Sequence, residues 1–237
     1  MENKLLQLKI ITEFKDLRDN SAPIPEKDWN VIWVLSGPQR TFEEDHQSEL
    51  GNETRDRLAT GFKLAREVTS TRLNKELDKI TVEDVKNHGP IVYFNGWPDQ
   101  NLNIKGTRKS GILEEQYLIP RSKLVITNKK RIDNTPDQFK FFPKYLLKKE
   151  GKIVVVSDMY HLPRTKRISQ RQRIDEVPNL VPFDRLIFYS SEPLRYPFQK
   201  IRIEIRKIPQ LITEGLLPPR RIMLNLYLSG FIMLLLT

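Results

Sequence analysis

The stretch Ile153–Arg164, IVVVSDMYHLPR, decides the fold. Its first four residues, Ile153 to Val156, are β-branched and apolar, without alternation. A strand covered on both faces of a parallel sheet reads this way. Ser157, Asp158, His161 and Arg164 follow directly. An acceptor, a titratable imidazole and a fixed cation therefore stand just past one strand end. Ligands of open α/β sheets bind beyond the carboxyl ends of the strands, so this segment is the first candidate for chemistry.

Outward from it, Val31–Leu35, Ile91–Phe94, Leu124–Ile126 and Leu186–Tyr189 read as further short strands. Helical patterns separate them. Arg55–Val68 carries Leu58, Phe62, Ala65 and Val68 at helical intervals. Gly111–Leu118 is short, Thr135–Lys149 is strong, and Pro163–Arg173 is polar. Lys200–Glu214 is a further helical pattern that Pro209 should kink. Thr69–Gly89 reads as an insertion with one capped helix, Thr81 to Asn87, and Trp97–Ser110 as a flexible polar loop over the site. Alternating strands and helices predict an α/β domain with a mostly parallel sheet of about five strands.

That domain is expected over residues 31–215. Residues 1–30 read as an amphipathic helix, with Leu5, Leu8, Phe14 and Leu17 at helical spacing, and a linker. Residues 216–237 form an apolar tail. Its run Ile222–Leu236 is shorter than the roughly 20 residues a spanning helix needs. It suits a buried or dimer-forming helix, or a tail lying on a membrane.

The chain has 237 residues, no cysteine and a formal charge of +10. Disulfides, thiolate chemistry and cysteine zinc sites are excluded. The N-terminus lacks the continuous apolar core of a signal peptide, and a cytoplasmic protein is expected. The positive charge suits phosphorylated ligands, nucleic acid or anionic lipid. No nucleic-acid motif occurs, so nucleic acid is the weaker expectation.

Each strand is followed by small or polar residues: Ser36 and Gly37, then Asn95 and Gly96, then Asn134 and Thr135, then the Ser157 group, then Ser190, Ser191 and Glu192. In a parallel sheet these ends share one edge. Ser36–Gly37 looks like half of a phosphate-binding turn, although no G-x-G-x-x-G or P-loop is present. Thr135 suits a helix N-cap, with Pro136 as first helical residue and Gln138 closing a capping box. Asn134 has no part in that cap and is a ligand candidate. Asp158 and Arg164 flank His161 at three residues on either side, one turn away. Aspartate can orient the imidazole for acid–base work, and arginine can grip a phosphate or carboxylate. His46 and His88 lack ligand spacing, so no metal site is expected.

VLSG at Val34–Gly37, the RLATGFKLA helix from Arg57, YFNG at Tyr93–Gly96, IDNTPDQ at Ile132–Gln138 and VSDMYHLPR at Val156–Arg164 occur in this order. In this the chain resembles the YdcF-like (SanA/ElyC/YdcF) family, over roughly Val31 to Tyr189. The resemblance implies a Rossmann-like three-layer fold with the ligand cleft at the strand ends. It places the family's polar positions on Ser36, Gly37, Arg57, Asn95, Gly96, Asn134, Thr135, Ser157, Asp158, His161 and Arg164. It also implies S-adenosylmethionine as a candidate cofactor. Trp97 stands where the family has a second glycine, and an acidic residue expected before Asn134 is missing near Lys129–Lys130.

The expectation is a protein that binds or acts on a small phosphorylated or nucleotide-like ligand. Arg164, with the backbone N–H groups of Gly37 and Thr135, would hold the anion. His161, oriented by Asp158, would be the acid or base. Asn95 and Asn134 would fix the ligand. The rivals are an S-adenosylmethionine-binding module without turnover, and a basic protein that docks on nucleic acid or membrane.

Overall fold

The computed structural model describes residues 23–37, 52–96, 98–109, 111–127, 132, 135–158, 161–171 and 181–191. The strands are β1 (Trp29–Leu35), β2 (Ile91–Asn95), β3 (Leu124–Ile126), β4 (Lys152–Asp158) and β5 (Leu186–Ser191). The helices are α1 (Asn52–Leu73), α2 (Val82–His88), α3 (Pro98–Lys109), α4 (Ile112–Tyr117), α5 (Thr135–Lys140), α6 (Lys144–Leu147) and α7 (Leu162–Arg171). All pairings are parallel, and the spatial order is β3-β2-β1-β4-β5. This is a Rossmann-like α/β sheet, and its order reverses between β1 and β4. The crevice at that reversal lies where the Ser157–Arg164 segment begins.

Period-2 alternation divides the core. Ile32, Val34, Val154 and Val156 meet Leu58, Phe62, Ala65 and Val68 of α1 on one face, with Val85 of α2, Ile104 of α3 and Leu113 of α4. Val31, Trp33, Leu35, Ile153 and Val155 meet Phe139 of α5, Leu146 of α6 and Ile168 of α7 on the other. Both faces of β1 and β4 are covered, which is why these strands read as unbroken apolar runs. Gly61 lets α1 cross β1 closely, because a Cβ there would stand 2.5 Å from Val34 Cγ2. Trp33 packs edge-on against Phe139 and Phe142, with centroids 4.7 and 4.6 Å apart. Each such pair adds about 0.5–1.5 kcal/mol beyond its buried area.

Two arginines stitch the amino-terminal edge of the sheet. Arg72, in the last turn of α1, donates to the carbonyls of Lys27, His88 and Trp29 and to Asn30 Oδ1. Arg185, just before β5, donates to the carbonyls of Gly151, Leu147 and Lys149. The domain therefore starts before residue 31, since β1 includes Trp29 and Asn30 and the chain is gripped from Lys27.

Two local expectations need correction. The segment read as a loop over 97–110 is helical across Pro98–Lys109. Ile104 anchors it in the core, and Asn101 fixes its start by pairing with both backbone groups of Gly96. Thr135–Lys149 is two helices, because Pro143 takes extended backbone (φ −66°, ψ 125°) and α6 restarts after it. The short helix expected at Gly111–Leu118 forms over Ile112–Tyr117, with left-handed Gly111 and Leu118 as its caps. The capped helix in the insertion forms as α2, with Thr81 and Asp84 in a reciprocal capping box. The expected helices in residues 1–30 and at Lys200–Glu214, and the apolar tail 216–237, lie outside the described residues. Among the described residues no helix is long and apolar enough to cross a membrane.

Two predictions follow from this scaffold. Gly151 turns into β4 at φ +86°, and a Cβ there would stand 2.2 Å from the Asp28 carbonyl oxygen. Gly151→Ala should cost about 3 kcal/mol in urea unfolding, through strain and clash together. Asp84 is held down from 3.8 to about 2, chiefly by its hydrogen bond from Lys75 and then by those from Thr81. A depressed carboxyl stabilises the fold fully above its unfolded value and loses that contribution as pH falls from about 3.8 through about 2. Unfolding midpoints of wild type and Asp84→Asn should therefore converge across that window.

Candidate functional site at the carboxyl edge

The carboxyl edge is built around a buried arginine. Arg57, 1% exposed on α1, reaches across the crevice between β1 and β4. Its Nη1 donates to the carbonyls of Leu35 (3.2 Å) and Ser36 (2.6 Å), and its Nη2 to Asp158 Oδ2 at 2.6 Å. Ser191, at the end of β5, donates to the other Asp158 oxygen at 2.7 Å. The carboxylate of Asp158 thus joins β4 to α1 and β5. Sequence reasoning gave it to His161. The structure gives the His161 ring two hydroxyls instead: Ser157 Oγ lies 2.8 Å from Nδ1 and Thr135 Oγ1 3.2 Å from Nε2. Asp158 meets His161 through the backbone, its carbonyl accepting the His161 N–H at 2.9 Å.

Thr135 lies inside α5 as its first residue rather than at an N-cap before it. Its hydroxyl serves His161. Gln138 does not close a capping box either. Its Nε2 donates to Ser36 Oγ at 2.7 Å and to the Asn95 carbonyl at 2.8 Å. Asn95 donates to the Gln138 carbonyl and accepts from Trp33 Nε1, both at 2.8 Å. Both ends of the Asn95 amide are engaged, so Asn95 ties α5 and the aromatic core to β2. Gly37 also differs from expectation, because its N–H donates to Thr54 Oγ1 at 3.0 Å and its carbonyl accepts from Gln100. That N–H is committed to the protein.

Ser36, Arg57, Asn95, Thr135, Ser157, Asp158 and His161 are thereby joined through α5, α1 and the strand ends. Gly37 and Gly96 are buried, held by Thr54, Gln100 and Asn101. Asn134 lies outside the described residues. Arg164 stands apart in kind. It is 5% exposed on α7, three residues past His161, and its Nε is buried without a hydrogen-bond partner. It makes no ion pair or hydrogen bond with any described residue.

Sequence reasoning missed Thr54, Gln100 and Asn101 and misplaced Gln138. Helical spacing carried a signal for two of them, since Thr54 and Arg57, and Thr135 and Gln138, stand three apart on one helix face. Farther along the edge, Tyr93 bonds Thr127 Oγ1 at 2.5 Å, and burial pushes its phenol well above the ordinary range. Among the described residues no group of three or more His, Asp or Glu could hold a metal ion.

No family model, curated protein or solved structure matches the chain.

The Arg57–Asp158 pair yields a prediction. Removing one partner strands the other in a dry site, so Asp158→Ala should lose about 3–5 kcal/mol. The double variant Arg57→Met with Asp158→Leu should lose clearly less than the sum of the two single losses. A double-mutant cycle by urea denaturation measures both, and additive losses would remove the pair from the centre of the fold.

Proposed function

We propose that this chain binds a small phosphorylated or nucleotide-like ligand in the crevice between β1 and β4, with Arg164 as its anion contact. The observation that carries the reading is the burial of Arg164 without a hydrogen-bond or ion-pair partner among the described residues. The residue is 5% exposed, and its Nε is buried without a hydrogen-bond partner. A buried ion without a partner costs several kcal/mol, a cost that an incoming anion offsets. Its position supports the same reading, because α7 starts just past β4 at the reversal of strand order, where open α/β sheets take ligands. Guanidinium forks match phosphate oxygens well. The likeness to the YdcF-like family points to the same edge, and S-adenosylmethionine enters as a rival ligand for it.

The reading separates binding from stability. Arg164→Met replaces a buried charge that has no partner among the described residues with a side chain of similar length. It should stabilise the ligand-free protein by about 1–3 kcal/mol and weaken ligand at least tenfold. Thermal unfolding and calorimetric titration with inorganic phosphate, nucleoside monophosphates and S-adenosylmethionine measure both. A less stable Arg164→Met protein would make Arg164 a structural member and remove the argument. A response to S-adenosylmethionine alone would favour the non-enzymatic module. Salt-sensitive retention on DNA, with no small-ligand response, would favour the basic docking protein.

A further inference from the structure

We infer that Ser157 holds His161 as its neutral Nε2–H tautomer, which turns the Thr135 hydroxyl into a donor for a ligand phosphoryl oxygen shared with Arg164; the ligand half of this rests on the anion-binding reading above. Each ring nitrogen faces one hydroxyl, and the imidazole is the one hydrogen-bond partner that each hydroxyl has among the described residues. A neutral imidazole offers one N–H and one bare nitrogen. One hydroxyl must therefore donate to the ring while the other accepts from it. The accepting hydroxyl keeps its own hydrogen for something else.

Burial decides which is which. Ser157 is 0% exposed on β4, while Thr135 is 6% exposed at the start of α5. An unmet donor costs most where water cannot reach it. Ser157 therefore spends its hydrogen on Nδ1, at the shorter distance of 2.8 Å. Nε2 then carries the ring proton and donates to Thr135 Oγ1 at 3.2 Å. A doubly protonated ring would leave both hydroxyl hydrogens unmet. The Thr135 hydrogen points away from the ring and has no acceptor among the described residues.

A phosphoryl oxygen supplies that acceptor, and Arg164, one turn after His161 on α7, supplies the charge. The chain Ser157 to His161 to Thr135 thus passes hydrogen-bond direction outward. It offers the ligand a donor and no base. Ser157 and His161 act as positioning residues in this arrangement, and Thr135 makes the contact.

Two measurements test it on the full chain. Long-range proton–nitrogen spectra of uniformly labelled protein, with His46→Gln and His88→Gln variants to assign the signals, read the His161 tautomer without ligand. A protonated Nε2 with a bare Nδ1 is expected, and loss of that preference in Ser157→Ala. A protonated Nδ1, or an unchanged tautomer in Ser157→Ala, overturns the proposal. Titration with inorganic phosphate and with a phosphate monoester reads the ligand half. Thr135→Val should bind both about ten- to a hundredfold more weakly, and Thr135→Ser should restore binding. Equal binding by wild type and Thr135→Val overturns the proposal and leaves the anion reading standing. Absence of phosphate binding in the wild type overturns the ligand half together with that reading, while the tautomer spectra still decide the Ser157 lock. Should Thr135→Val fail to fold, Thr135→Ala takes its place under the same criteria.

Discussion

Everything at the carboxyl edge depends on one buried ion pair. A Rossmann-like sheet leaves a gap where its strand order reverses, because β1 and β4 send their following segments to opposite faces. Arg57 closes the back of that gap. It satisfies the last carbonyl of β1, the carbonyl of Ser36 just after it and the carboxylate that ends β4 with a single side chain. Its place on α1 is fixed by Gly61, one turn on, which lets the helix lie close to Val34. The tightness of an apolar contact thus sets the reach of a cation. Without it, two strand ends would present bare acceptors to each other.

The pair also explains how groups from opposite layers come to share one edge. Arg57 and Thr54 arrive from the helical layer on one face, while Thr135, Gln138 and His161 arrive from the other. They meet through Ser36, whose carbonyl takes Arg57 and whose hydroxyl takes Gln138. One small residue after β1 therefore links the two layers. Trp33 extends this link downward through Asn95 into the aromatic cluster with Phe139 and Phe142.

The fold was legible because burial on both faces leaves its mark as unbroken β-branched runs, as at Ile153–Val156. The strand ends were less so. Lys152, Ser157 and Asp158 belong to β4 but are polar, since their role is hydrogen bonding at the sheet edges. The α3 segment was hidden for a similar reason: Gln100 and Asn101 are polar residues turned inward to serve backbone groups, and a polar run reads as a loop. At the site, residue types pointed to the right edge, but not to who holds whom. Asp158 three residues before His161 suggested a pair, whereas the deciding partner, Arg57, lies 101 positions away in sequence. Such distant pairings leave no local pattern. Thr135 and Gln138 fitted a capping box so well that their tertiary bonds were invisible to local reasoning.

β5 has a consequence for the order in which the protein can be finished on the ribosome. Ser191 donates to Asp158 Oδ1, and Arg185 locks the turn that admits β4. Ser191 ends the last strand of the described residues, and Arg185 directly precedes that strand. A nascent chain emerging from its amino end can pair β1, β2, β3 and β4, yet Asp158 still lacks the Ser191 hydroxyl and the turn its three-carbonyl clamp. The edge on which a ligand would settle is therefore assembled last, and a chain halted short of residue 191 carries the right residues in an unfinished setting.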